Sequence, residues 1–280
     1  MSTSTGTAER SGRCAVVGDP IAHSLSPVLH TAGYDALGLT GFGYVAERVP
    51  AGGLADFVGG LDASWRGLSV TMPLKREAAQ LADEVTPLAA AAGAVNTLVL
   101  HRGRVRGDNT DVPGAVNALR ERGVDAVRTA TVVGGGATAT SVSLALADLG
   151  VRSITLVVRS AERAAETLAA VQSHPSAPDV AIAGAEDVAP PGEVVVSTVP
   201  VEAQGPELVE RLAVAPVVFD AVYDPWPTPL AEAAELRGAV LVNGLDLLVH
   251  QALLQFEQFT GERVGVDVMR DAGLAALRER

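Results

Sequence analysis

A chain of 280 residues can form one large domain or two modest ones, and 48% hydrophobic against 19% charged residues excludes a disordered protein. A net charge of −12 argues against nucleic acid or an anionic membrane as partner, no apolar run is long enough to span a bilayer, and the single cysteine, Cys14, cannot close an internal disulfide. A reducing cytoplasm is the expected setting, with small anionic ligands still open to the protein because they need only a few local cations.

The first residues, 1–12, lack the apolar segment of a signal peptide and read as a disordered tail. Short β-branched runs then alternate with Ala/Leu-rich segments of helical period. Strands are expected at 14–18, 42–49, 67–71 and 96–100, and helices at about 27–38, 51–60, 75–82 and 86–92. The polar stretch GDNTDVPG, 107–114, suggests a domain boundary, followed by a helix at 115–122. Six more runs, at 130–134, 153–158, 180–184, 193–198, 216–222 and 239–244, are nearly continuous hydrophobes. Parallel strands covered by helices on both faces have that composition. After 245 only helical pattern remains, as for helices folding back on the first domain. The fold class is therefore α/β: an N-terminal α/β domain, 13–112 with 246–280, and a Rossmann-type domain, 113–245.

The second domain carries TVVGGGATAT, in which Gly134, Gly136 and Ala139 make a G-x-G-x-x-A pattern after a strand and before a helix. That context suits a dinucleotide: the first glycine permits the tight turn, and the second lets the backbone approach a pyrophosphate at the helix N-terminus. The next strand ends at Arg159 and Ser160, with Arg163 one turn on, where an NAD site would carry an acidic residue. A guanidinium pair and a hydroxyl suit a 2′-phosphate, so NADP is expected.

The first domain gathers polar groups at strand ends: Ser24 and Ser26 before a helix at Pro27, then Thr71, Lys75, Asn96 and Asp111. Ligands of α/β folds bind in such places. Lys75 is the only lysine of the chain; the other cations are all arginines. The five histidines show no metal spacing, and no metal is expected.

The segments GDPIAHSLSP, SVTMPLK, GAVNTL, GDNTD, GGGA, RSAER, DAVYDPWPTPL and NGLDLLVHQA resemble, in order, the signatures of the shikimate dehydrogenase family. The resemblance covers residues 14–280 and implies a substrate domain, an NADP-binding Rossmann domain and a cleft between them. It also implies reversible NADPH-dependent reduction of 3-dehydroshikimate to shikimate, on the way to the aromatic amino acids. By resemblance Ser24 and Ser26 match the carboxylate-binding serines, and Thr71, Asn96 and Gln251 match the groups on the ring hydroxyls. Lys75 and Asp111 match the catalytic pair, and Tyr223 the tyrosine of an Asp-x-x-Tyr segment. The cofactor set is Gly134, Gly135, Gly136, Ala137, Arg159, Ser160, Arg163, Thr198, Val199, Gly244 and Leu247. Three positions depart from the family: Ser69, assigned to the substrate, stands where Asn is usual, Val158 replaces an Asn, and Pro113 a common Gly. The expected partner is the small-molecule substrate, in a monomer or homodimer. The alternatives are a quinate or aminoshikimate dehydrogenase and, in another class, a ligand-sensing regulator on the same fold. Lys75 and Asp111 together speak against the regulator, since sensing needs neither.

The lone lysine then has a chemical reason. Reducing a ring ketone needs a proton donor beside the forming alkoxide; an ammonium can give its proton, whereas a guanidinium holds it with a pKa above about 12. Lys75 is expected at the reacting C3 oxygen, with Asp111 orienting it.

Overall fold

The computed structural model describes residues 11–186 and 190–280; the side chain of Arg163 also lies outside the described set. Contacts divide the chain into two units. The first holds the residues up to Thr86, Val95–Asp108 and Ala252–Arg280; the second holds Pro87–Ala94 and Asn109–Gln251.

In chain order the first part contributes β1 (Gly12–Gly18), α1 (Ser26–Ala36), β2 (Phe42–Arg48), α2 (Leu54–Gly59), β3 (Trp65–Val70), α3 (Lys75–Leu81) and β4 (Glu84–Val85). Helix α4 (Pro87–Ala92) belongs to the second unit, and β5 (Thr97–His101) and β6 (Arg104–Asp108) return to the first. The first sheet runs β2-β1-β3-β5-β6-β4. Strand β1 pairs in parallel with β2 and β3, while β5 is antiparallel to β3 and β6. Two features differ from the sequence expectation. Strand β1 begins at Gly12, inside the segment read as tail, because Gly12 already pairs with Phe42. The strand expected at 96–100 is β5, but β6, which was not expected, pairs back on it: Arg102 and Gly103 take φ of 51° and 74°, the left-handed pair of a tight hairpin turn. Arg104 and Arg106 are exposed in β6 while Gly107 is buried, so its charges face solvent and hide the strand pattern.

The second unit follows with α5 (Asp111–Glu121), β7 (Thr129–Val133), α6 (Ala137–Asp148), β8 (Ser153–Val157), α7 (Ala161–Gln172), β9 (Asp179–Ala183), β10 (Val194–Ser197), α8 (Pro206–Leu212), β11 (Val217–Asp220), α9 (Pro229–Glu235) and β12 (Val240–Asn243). Its sheet is parallel throughout, in the order β9-β8-β7-β10-β11-β12. That is the doubly wound dinucleotide-binding order, with its switch point between β7 and β10. Helix α6 is buried from Ala139 to Ala147, which explains a sequence without a polar face. Its side chains join Val132, Ile154, Val196 and Phe219 in one core.

Two helices end the chain, α10 (Gly244–Thr260) and α11 (Val266–Arg278). The division between units falls within α10, after Gln251, and α11 packs along α1 in the first unit. No helix among the described residues is long and apolar enough to cross a membrane.

Candidate active site

In the first unit, the polar groups singled out in the sequence meet at one end of the sheet. The loop after β1 delivers Ser24 and Ser26, and Ser24 Oγ accepts the Ser26 N–H at 3.3 Å in the first turn of α1. The loop after β3 delivers Thr71 and, at the start of α3, the half-buried Lys75. The two loops are tied together: Thr71 N–H donates to the Val17 carbonyl at 2.9 Å, and Asp19 N–H to the Met72 carbonyl at 3.0 Å. Asn96 immediately precedes β5, and because β5 runs antiparallel to β3 its carbonyl takes the Val70 N–H at 2.7 Å. The Lys75 carbonyl accepts from Val95 N–H at 2.9 Å, so the backbones bearing Lys75 and Asn96 are neighbours. Asn96 is only 2% exposed.

Ser69, assigned to the substrate by resemblance, is 4% exposed and its hydroxyl is engaged on both sides. It accepts from Tyr44 Oη at 2.5 Å and donates to Gln255 Oε1 at 2.6 Å.

In the second unit, the expected cofactor positions lie at the carboxyl ends of the parallel strands. After β7, Gly134 has φ +119°, and a Cβ there would meet Thr198 Oγ1 at 2.2 Å, so only glycine fits. Gly136 precedes α6 with open space where a side chain would stand, and no side chain caps the N-terminus of that helix. Its first turn holds no acidic group, so its N–H groups present an uncovered positive end beside Gly135 and Ala137. Such a cradle fits a pyrophosphate. Thr198, after β10, donates its hydroxyl to the Val133 carbonyl at 3.0 Å, and Val199 follows it. After β8, Arg159 is exposed and Ser160 opens α7. Arg163 falls outside the described side chains.

The loops after β11 and β12 are built on a close backbone approach. A Cβ on Gly244 would lie 2.2 Å from the Ala221 carbonyl oxygen, and the Gly244 N–H donates to the Val222 carbonyl at 3.2 Å. Tyr223, half-buried, follows directly. Its segment is pinned by Asp220, which is fully buried and accepts from Gln204 Nε2 at 2.8 Å, Thr228 Oγ1 at 2.7 Å and Val222 N–H at 3.2 Å. Burial pushes the Asp220 carboxyl up, against those donors. Leu247 is buried in the first turn of α10, where Asn243 and Asp246 cap one another reciprocally. Asp111 opens α5 at 5% exposure, and the preceding Thr110 donates to Gln251 Oε1 at 3.5 Å. His250 points to Glu121 instead, at 2.8 Å. Among the described residues no cluster of His, Cys, Asp or Glu could hold a metal ion.

A model of the shikimate dehydrogenase substrate binding domain matches residues 16–98, and one of the shikimate 5′-dehydrogenase C-terminal domain matches residues 244–272. A shikimate dehydrogenase (NADP(+)) of Symbiobacterium thermophilum is 40% identical over 277 residues, spanning 94% of this chain and 93% of that protein. The chain belongs to the shikimate dehydrogenase family. The crystal structure of Mycobacterium tuberculosis shikimate dehydrogenase overlays with a TM-score of 0.86 at 41% identity, covering 95% of this chain and 99% of that one. The shikimate 5-dehydrogenase of Thermus thermophilus, solved with NADP(H) and shikimate, gives 0.84 at 31% identity, with 95% and 100% covered. The fold class read from the sequence, an α/β substrate domain followed by a Rossmann-type domain, is that of the shikimate dehydrogenases.

Sequence reasoning missed the groups behind the site. Gln255 lies one helical turn beyond Gln251 and could have been found by that spacing. Tyr44 sits in an ordinary strand and carries no signal of its own, whereas Asp220 heads the Asp-x-x-Tyr segment and only its part in pinning that segment went unread.

Proposed function

We propose that this chain is an NADP-dependent oxidoreductase that reversibly reduces 3-dehydroshikimate to shikimate. The observation that carries the reading is identity to an NADP(+)-named shikimate dehydrogenase along nearly the whole chain, with the single lysine opening α3 and its carbonyl bonded by Val95, next to Asn96. Ser24 and Ser26 hold the substrate carboxylate, Thr71, Asn96, Tyr223 and Gln251 address the ring, and Lys75 donates the proton to the C3 oxygen as it becomes an alcohol. Asp111 orients Lys75, and electrostatic support of the forming alkoxide is the larger part of the lysine's work. When bound, NADPH supplies the hydride. Gly134, Gly135, Gly136 and Ala137 take its pyrophosphate, and Arg159, Ser160 and Arg163 its 2′-phosphate. Thr198, Val199, Gly244 and Leu247 line the path to the nicotinamide.

We place the enzyme in the cytoplasm, as a monomer or homodimer. Its one thiol, Cys14, is buried and pushed up to about 12 by that burial, in keeping with a chain that uses no disulfide. Initial rates with shikimate or quinate, each with NADP or NAD, test the assignment. Shikimate with NADP is expected to be fastest. Faster turnover of quinate with NAD would overturn substrate and cofactor together.

A further inference from the structure

Behind the serines and Asn96 lies a buried chain of hydrogen bonds whose direction is fixed from one end. The Asn96 carbonyl can only accept, so Gln255 must turn its Nε2 toward it, at 3.0 Å, and also gives Nε2 to Thr97 Oγ1 at 3.0 Å. Gln255 Oε1 therefore faces Ser69, which must donate, at 2.6 Å. Ser69 then has only acceptor capacity left, so the Tyr44 phenol must donate to it, at 2.5 Å. Thr97 in turn gives its proton to Asn96 Oδ1 at 2.8 Å. At the far end the buried Ser26 side chain stands within interaction range of the Tyr44 phenol. Tyr44 is 7% exposed, Ser69 4% and Gln255 1%. The hydrogen-bonded chain is buried and continuous from Tyr44 to Asn96, with Ser26 beside its Tyr44 end.

The ring of Tyr44 is fixed as firmly as its hydroxyl. His30 stacks on it at 4.1 Å between centroids and 13° between planes, backed by Phe256 and Phe259 at 6.0 and 5.9 Å. His30 is fully buried with neither ring nitrogen in a well-formed hydrogen bond, although Gln255 stands beside it. It works as an aromatic wall.

We infer that Tyr44 is a positioning residue of the substrate site: through Ser69 and Gln255 its phenol sets the distance and orientation between Ser26, at the carboxylate end, and Asn96, at the ring-hydroxyl end. Ser69 is thus a relay and makes no substrate contact of its own. The inference rests on the reading of Ser26 and Asn96 as substrate contacts. A ligand anchored at two ends is sensitive to their spacing, and a lost link lets both anchors wander, which weakens binding more than it slows chemistry.

The test uses the full chain with Tyr44→Phe, Ser69→Ala and the double variant, reading KM and kcat for shikimate, KM for NADP, and the melting temperature. Either single change is expected to raise KM for shikimate about ten-fold, with kcat within about two-fold and KM for NADP unchanged. The double variant should be no worse than the worse single, because both break one chain. A raised KM in Ser69→Ala with none in Tyr44→Phe would make Ser69 a direct contact and overturn the relay. So would additive effects, or a joint loss of kcat and NADP affinity following a fall in melting temperature. Should Tyr44→Phe fail to fold, Gln255→Glu carries the same expectation, since it removes the donor to Asn96. Absence of wild-type turnover with shikimate would sink the functional reading and this inference with it; wild-type turnover with unaltered variants would sink this inference alone.

Discussion

Lys75 and His30 illustrate two opposite uses of a nitrogen side chain. Lys75 opens α3 at the site, half-buried, in a chain that otherwise uses arginine for every cation. An arginine there would keep the charge but hold its proton, so Lys75→Arg and Lys75→Ala should both cut kcat by roughly 10²–10⁴ with KM for shikimate within a few-fold. A loss under ten-fold in steady-state rates would remove the lysine from proton transfer. His30, by contrast, is held neutral: burial lowers its pKa from 6.5 to about 3. Unfolded His30 takes up a proton near 6.5 and the folded residue resists to about 3, so the unfolded state binds more protons between those values. Stability therefore falls as pH drops from about 6.5 toward about 3. His30→Phe should remove roughly 2 kcal/mol of the stability difference between about pH 7 and about pH 5, measured by denaturant unfolding. Identical pH slopes for wild type and variant would contradict this.

At the scale of elements, the loops at the carboxyl ends of the strands divide into two kinds of glycine. Gly244 lets the start of α10 lie against the backbone of the loop after β11, and a Cβ would strike the Ala221 carbonyl at 2.2 Å. Gly244→Ala should cost about 3 kcal/mol of stability in urea unfolding, since backbone and not a flexible side chain must move. Gly136 meets nothing within 4 Å, at the N-terminus of α6. Gly136→Ala should therefore leave the melting temperature nearly unchanged while raising KM for NADP about ten-fold, because the methyl stands where the pyrophosphate belongs. A Gly136→Ala protein with normal NADP kinetics would remove the α6 N-terminus from the cofactor site. Asp220 performs the comparable task for Tyr223, holding the 221–228 segment to the end of β11 through two donors, Val222 N–H and Thr228 Oγ1.

For the whole molecule, NADP binding should appear as stability. A ligand that binds only the folded state, at about a hundred times its Kd, adds about 2.7 kcal/mol, or roughly 5 °C in Tm for a chain of this length. NADP should produce that shift in a thermal melt and NAD at the same concentration a much smaller one. Arg159→Ala should bring the two cofactors together; equal shifts in the wild type would remove the 2′-phosphate contact.

Much of this architecture is written locally. The six apolar runs of the second half became six parallel strands; the four central ones, β8, β7, β10 and β11, are mainly buried, as continuously hydrophobic strands must be. The glycine loop was legible because the turn after β7 needs the positive φ that Gly134 takes, whereas the serines, Lys75 and Asn96 were picked out by the order of the family's segments. Strand β6 was not legible, since its exposed arginines carry the composition of a loop. Nor was the assignment of α4 to the second unit, which depends on its packing with α6 and α7. The sequence by itself determined the α/β class and the glycine-rich turn between β7 and α6. Only the tertiary structure decided that Ser69 is closed off between Tyr44 and Gln255. The partners of that hydroxyl lie 25 and 186 residues away, and burial and hydrogen-bond direction arise only when distant segments meet.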